Sequence, residues 1–164
     1  MAAQWSLRSQ IMDTITKGRL GYNLLEKELL KRDYEIYVPL LENTKIDCIA
    51  CKNGQLIKIQ IKTIQTDRGY KKLPVRKISH NQGEYKIFNY TSDEIDYFVG
   101  VDIDTEDLYI VPIDIVEKYK SAISVSTLEY YKNNFDYMEP QVGNNLSGCD
   151  DIGETLTGNT EGME

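Results

Sequence analysis

The stretch KIDCIACKNGQLIKIQIKT, Lys45 to Thr63, decides the fold. Asn53-Gly54 lies between two short runs of alternating apolar and polar residues and is the strongest two-residue hairpin signal. With that turn, residues paired across the strands have numbers summing to 107, so Asp47 faces Gln60. Side chains two apart share a strand face, so Lys62 joins them diagonally. Ile46, Cys48, Ala50, Ile57, Ile59 and Ile61 make the opposite face apolar. One face therefore reads as core, and the other carries a carboxylate, an amide and an ammonium.

That polar triplet suits phosphodiester hydrolysis. The reaction needs a hard cation held by oxygen ligands and a positive group near the attacking water and the phosphate charge. Asp47 offers a charged oxygen, Gln60 a neutral one, and the backbone carbonyl of Ile61 can point to the same place. Lys62 would position or help deprotonate water and stabilise developing negative charge. The competing reading is an ordinary solvated cross-strand arrangement, which an Asp opposite a Gln with a diagonal Lys also fits.

Outward from the hairpin, Ser6 to Arg32 reads as mostly helical, in two pieces broken near Lys17-Gly18 to Gly21, because glycine weakens helix interiors. At 100° per residue, Tyr22, Leu25, Glu26, Leu29 and Leu30 fall in one stripe of about 140° that should face the sheet. Tyr34 to Leu40 is extended. Tyr85 to Tyr90, Ile95 to Asp102 and Leu108 to Ile113 have the β-branched and aromatic content of strands. Asp114 and Glu117 have capping-box spacing for a helix through Ser121, and Thr127 to Tyr137 is ambiguous. The sum is an α/β domain with a mixed sheet flanked by helices.

Charge is unevenly placed. Of 26 acidic residues, seven follow Lys132, whereas all 19 Lys and Arg lie at or before it; the body is neutral and the tail carries the net −7. The expected division is a domain over 1–138 and a disordered acidic tail over 139–164, too poor in apolar residues to offset ordering. Between Arg68 and Lys86, six cations face Glu84 alone. Arg68, Tyr70, Lys71, Lys72, Arg76 and Lys77 are the candidate nucleic-acid contacts, the alternative being a solvated loop.

Some classes are disfavoured. His80 is the sole histidine, and no Asp or Cys context supports a Ser-His-Asp or Cys-His site around it. Cys48 and Cys51 match C-x-x-C, but their odd spacing on a strand sends the sulfurs to opposite faces, and no second pair completes a zinc site. Three cysteines cannot all pair within the chain, and neither a secretion signal nor a membrane-spanning run is legible, so a cytoplasmic location is expected.

The segments KGRLGYNLLEKELLKRDYEIYVP (Lys17–Pro39), KIDCIACKNGQLIKIQIKT and IDYFVGVDIDTEDLYIVP (Ile95–Pro112) resemble the PD-(D/E)XK nuclease superfamily. Within it they resemble the small group I intron-encoded homing endonucleases. The resemblance implies a restriction-endonuclease-like core, Mg²⁺-dependent cleavage of double-stranded DNA with Mn²⁺ able to substitute, and a homo-oligomer, dimer or tetramer. It assigns Asp47 as the first catalytic acid, Gln60 as the D/E position and Lys62 as the catalytic lysine. It also implies a Glu on the first helix, four residues after a glycine. The matching position holds Tyr22, a poor metal ligand because its phenol is protonated near neutrality. Glu26, one turn further on, is the candidate substitute, directly or through a water; otherwise it reaches solvent or pairs with a basic neighbour. A catalytically inactive DNA-binding protein and a junction resolvase or repair nuclease are the other readings of this fold.

Overall fold

A computed structural model describes residues 13–41, 44–81 and 84–139, apart from the side chains of 77–86 and 88. Helix α1 (Thr14–Leu30) starts where Asp13 accepts hydrogen bonds from the Thr16 amide and hydroxyl at 2.8 and 2.9 Å. This N-cap satisfies a backbone donor that the first helical turn leaves open. Over its described part the helix is continuous, not broken at the glycines; Ser6 to Met12 lie outside the described residues. The two glycines cost about 2 kcal/mol together, and burying Leu25 and Leu29 returns about twice that. Gly21 is buried as well, facing Val101 and Ile61. The buried stripe is therefore Gly21, Leu25 and Leu29, with Tyr22 and Glu26 half-buried on its flank. Leu30, expected in that stripe, is 58% exposed.

The main sheet has five strands in the order β1 (Glu35–Tyr37), β2 (Cys48–Lys52), β3 (Gln55–Thr63), β8 (Tyr97–Asp102) and β9 (Asp107–Pro112). Between β3 and β8 the chain forms β4 (Gln65–Asp67), β5 (Tyr70–Pro74), β6 (Lys77–Asn81) and β7 (Glu84–Phe88). All neighbours in the main sheet are antiparallel except β3 and β8. The expected register holds, with Cys48 opposite Ile59 and Ala50 opposite Ile57. Asn53 and Gly54 both have positive φ, 50° and 77°, as a type I′ turn demands.

A parallel pair needs a crossover, usually a helix. Here the connection from β3 to β8 consists of two hairpins, β4–β5 and β6–β7. The expected basic loop is thus strand and turn, and Arg68-Gly69, with φ of 49° and 83°, forms the tip of the first hairpin. Strand β10 (Ala122–Ser124) pairs with the other edge of β5. Helix α2 (Ile113–Val116) is only four residues long. Its expected cap does not form: Pro112 takes the N-cap position, and Glu117 accepts from the Ser92 amide instead. Thr127 to Tyr137 lies among short 3₁₀ turns.

These elements bury both faces of the sheet. Leu25, Leu29, Ile57, Ile59, Val99, Val101, Leu108 and Ile110 form the core under α1. On the other face Leu73, Val75, Tyr90, Phe98, Val111, Ile113 and Val116 form a second core under the crossover and α2. On the polar face Gln60 is buried, while Asp47 and Lys62 are half-buried. Gly100 marks how closely the layers approach: a Cβ there would stand 3.0 Å from Leu73 and 3.1 Å from Ile64. Among the described residues, no helix is long and apolar enough to cross a membrane. The tail from 140 onward lies outside the described residues.

Candidate active site

Strand alternation delivers Gln60 and Lys62 to the second core's side of β3, while Ile57, Ile59 and Ile61 turn to α1. Asp47 precedes β2 and is held to β3 by its backbone, the Asp47 amide donating to the Ile59 carbonyl at 2.8 Å. Its Oδ2 accepts from the Ile61 amide at 2.7 Å and from the Gln60 Nε2. The same Nε2 donates to the Ile61 carbonyl at 3.1 Å. Gln60 is 5% exposed, which excludes the solvated-pair reading for it.

This geometry fits a hard cation. An Asp carboxylate oxygen and a backbone carbonyl converge on one point, where the Gln60 amide now supplies hydrogens. Reversing that amide presents a third oxygen in place of the donors, and carboxylate, amide and carbonyl oxygens are the ligands that Mg²⁺-type ions select. Among the described residues no group of three His, Cys, Asp or Glu converges on a metal position. A cation here would depend on the neutral oxygens.

The sheet's other side holds Tyr22 and Glu26. Burial, then the Cys48 and Glu26 charges, raises the Tyr22 phenol above its ordinary value, so it stays protonated. The Arg19 guanidinium lies 5.5 Å from its ring centroid. The Cys48 thiol is pushed up to about 12 by burial first and then by Asp47 and Glu26. Both carboxylates thus lie within Coulomb reach of one sulfur.

The six candidate nucleic-acid contacts separate. Arg68 stands exposed on its turn and Tyr70 is 78% exposed. Lys72 pairs at 2.7 Å with exposed Asp67. Lys71 points the other way and pairs at 2.5 Å with Asp102, whose side chain is 5% exposed. Arg76 has its Nε buried without a hydrogen-bond partner, and the Lys77 side chain is outside the described residues. A groove of about 750 Å³ between the start of α1 and the β4–β5 turn is lined by Thr14, Lys17, Thr63, Arg68, Lys71 and Asp104. Lys17 was not among the sequence candidates, because only folding brings the first helix beside Arg68.

Tyr90 was also missed. It is 4% exposed, stacks edge-to-face on Phe98 at 4.9 Å, and has the Lys62 Nζ 5.7 Å from its ring centroid. Its phenol is raised by burial first, then by Asp47 and Glu94. No sequence spacing signals this contact; it arises because Phe98 lies opposite Gln60 in the parallel register.

The sequence profile of the PD-(D/E)XK endonuclease family matches residues 12–138, which is most of the chain. The chain belongs to that family. Protein 5.3 of Escherichia phage T7 is 36% identical over 72 residues, 42% of this chain and 60% of that protein, so the match spans less than two thirds of the relative. The bacterial homing endonuclease I-Ssp6803I superposes with a TM-score of 0.63 at 23% identity, covering 69% of this chain and 78% of that one. That likeness shows the restriction-endonuclease-like fold expected for a PD-(D/E)XK nuclease.

Proposed function

We propose that this PD-(D/E)XK nuclease is a site-specific, homing-type DNA endonuclease that hydrolyses phosphodiester bonds of double-stranded DNA by metal-assisted water attack. The observation that carries the reading is the convergence of Asp47 Oδ2 and the Ile61 carbonyl on the Gln60 amide. Asp47, Gln60 and Ile61 would hold the cation. Mg²⁺ bound there, or Mn²⁺ in its place, supplies charge neutralisation and polarisation of the scissile phosphate. Lys62 orients the attacking water and stabilises the charge that develops on the phosphoryl oxygens. Glu26, on the helix side of the sheet, takes the role of the acid that Tyr22 cannot provide, directly or through a water. Arg68, Tyr70 and Lys72 face outward for phosphate contact, with Lys17 across the groove. One small domain carries one such site, so cutting both strands calls for a homo-oligomer, dimer or tetramer.

The absence of a three-acid cluster among the described residues favours the rival, a DNA-binding protein on this fold without cleavage. Supercoiled plasmid incubated with Mg²⁺ or Mn²⁺ decides between them, alongside a gel shift in Ca²⁺. The proposal expects nicking or linearisation by the wild type, lost in Lys62→Ala while the gel shift persists. DNA binding without nicking in either metal refutes it.

A further inference from the structure

The loop from Asn89 to Asp96 is fastened over the polar face of β3 at several points. Lys45, two residues before Asp47, pairs with Glu94 and donates to the Asn89 carbonyl at 3.4 Å. Glu94 closes its own turn, accepting from the Thr91 amide at 3.1 Å. Asp96 accepts from the Lys58 amide at 2.7 Å, and the Lys58 ammonium donates to the Asp93 carbonyl at 2.9 Å. These ties fix the loop to the segment carrying Asp47 and to the strand carrying Gln60 and Lys62. The residue they hold in place is Tyr90.

The ring of Tyr90 is wedged between two residues of the site's floor. Phe98, the register partner of Gln60, meets its ring edge-on, interplanar angle 83°. The Lys62 ammonium lies within the roughly 6 Å over which an aromatic face attracts a cation. Gly100, opposite Lys62, adds no side chain of its own, and Leu73 and Ile64 close over it, so the aromatic contact to the ammonium comes from Tyr90. A lysine side chain has about 2 kcal/mol of rotamer entropy, and holding its head in one place needs a contact that opposes it.

We propose that Tyr90 is a positioning residue of the nuclease site: its buried ring holds the Lys62 ammonium in place, and the Lys45–Glu94 pair keeps the ring there. The inference rests on the assignment of Lys62 as the catalytic lysine. It goes further by giving that lysine a dedicated support outside the sheet strands. The ring, not the hydroxyl, does the holding.

Full-length wild type, Tyr90→Phe and Tyr90→Leu, each checked for folding by thermal melt, are compared in single-turnover nicking of supercoiled plasmid with Mg²⁺. DNA affinity is measured in Ca²⁺ on the same preparations. Tyr90→Leu should slow the single-turnover rate by roughly tenfold to a hundredfold, as misplacement of a reacting group by about 1 Å does. Its DNA affinity should change less than threefold, and Tyr90→Phe should restore most of the rate. Equal rates for Tyr90→Leu and wild type overturn the proposal, as does Tyr90→Phe being as slow as Tyr90→Leu.

A second readout needs no catalysis. Lysines are reductively methylated with ¹³C-formaldehyde, and the Lys62 signal is assigned by its loss in Lys62→Arg. The ring current should place that signal upfield of the lysines that lie over no ring, in the wild type and in Tyr90→Phe. Lys52, 5.0 Å from the Tyr34 ring centroid, is shifted as well and is told apart by Lys52→Arg. Glu94→Ala, which releases the clamp without cutting into the core, should move it part of the way back; it replaces Tyr90→Leu if that variant fails to fold. A Lys62 signal at the ordinary lysine position in the wild type overturns the proposal. An upfield signal in a protein that never nicks DNA keeps the contact and refutes the nuclease assignment instead.

Discussion

Replacing Gln60 by glutamate tests the proposed cation site without requiring turnover. Gln60 is 5% exposed and donates from Nε2 to both Asp47 Oδ2 and the Ile61 carbonyl. Gln60→Glu keeps the shape, removes both donors and sets a second carboxylate against Asp47. Burial and the like charge raise the new carboxyl's folded pKa, and a rise of about two units corresponds to about 2.7 kcal/mol. The folded state then binds more protons than the unfolded one, so stability falls as pH climbs from the unfolded value of about 4.3 through the raised one. In EDTA the variant should match the wild type near pH 4 and lose about 3 kcal/mol at pH 7, a Tm drop of roughly 6–12 °C. Adding Mg²⁺ at pH 7 should recover most of that loss, because two adjacent carboxylates become a cation site. Thermal unfolding followed by circular dichroism, with and without Mg²⁺, reads both effects. A neutral-pH loss that Mg²⁺ leaves unchanged would refute the convergence of these oxygens on a cation position.

Lys71→Ala strands the nearly buried Asp102 carboxylate and should cost about 2–3 kcal/mol in urea unfolding, the buried-pair penalty being discounted because Lys71 is one-third exposed. Lys72→Ala, whose partner Asp67 is 59% exposed, should stay within about 0.5 kcal/mol, and equal losses would contradict the opposite orientations of the two lysines. Gly100→Ala pushes against Leu73 and Ile64 at 3.0–3.1 Å; overpacking predicts a loss of about 1–3 kcal/mol by denaturant titration, and a neutral outcome would mean that the layers part freely. Glu26→Ala should lower metal-dependent cleavage at least tenfold with DNA binding in Ca²⁺ retained; unchanged cleavage would end its proposed role.

The central hairpin was legible because its turn and its period-two alternation are both local, and local signals place Asp47 opposite Gln60 without reference to the rest of the chain. The second apolar core was not legible. Leu73 and Val75, Tyr90, and Phe98 come from three separate segments, and only the parallel pairing of β3 with β8 sets Phe98 opposite Gln60 within that core. The helix stripe was misjudged by a fraction of a turn, since a glycine counts as a helix breaker in sequence but as a close-packing surface once Val101 and Ile61 lie against it. The Asp114 cap failed for a related reason: Pro112 begins that helix, and Glu117 is drawn away to Ser92. Composition located the basic segment but could not divide it, because strand pairing decides that Lys71 turns inward while Tyr70 and Lys72 turn out.

The crossover built from hairpins also orders assembly in time. The contact of Asp47 with Gln60 spans 13 residues, whereas the tie of Lys58 to Asp96 that brings β3 and β8 together spans 38. Closing the longer loop costs about 1 kcal/mol more chain entropy, before the hairpins within it repay any of that. Pairing β2 with β3 should therefore precede docking of β8, with folding φ-values high for Ala50→Gly and low for Val99→Ala; the reverse ranking would contradict this order. The oxygen cluster then forms while the chain is still mostly unfolded, and Lys62 receives its aromatic support last. On the proposed assignment, the residues that would hold the cation come together before Tyr90 reaches Lys62.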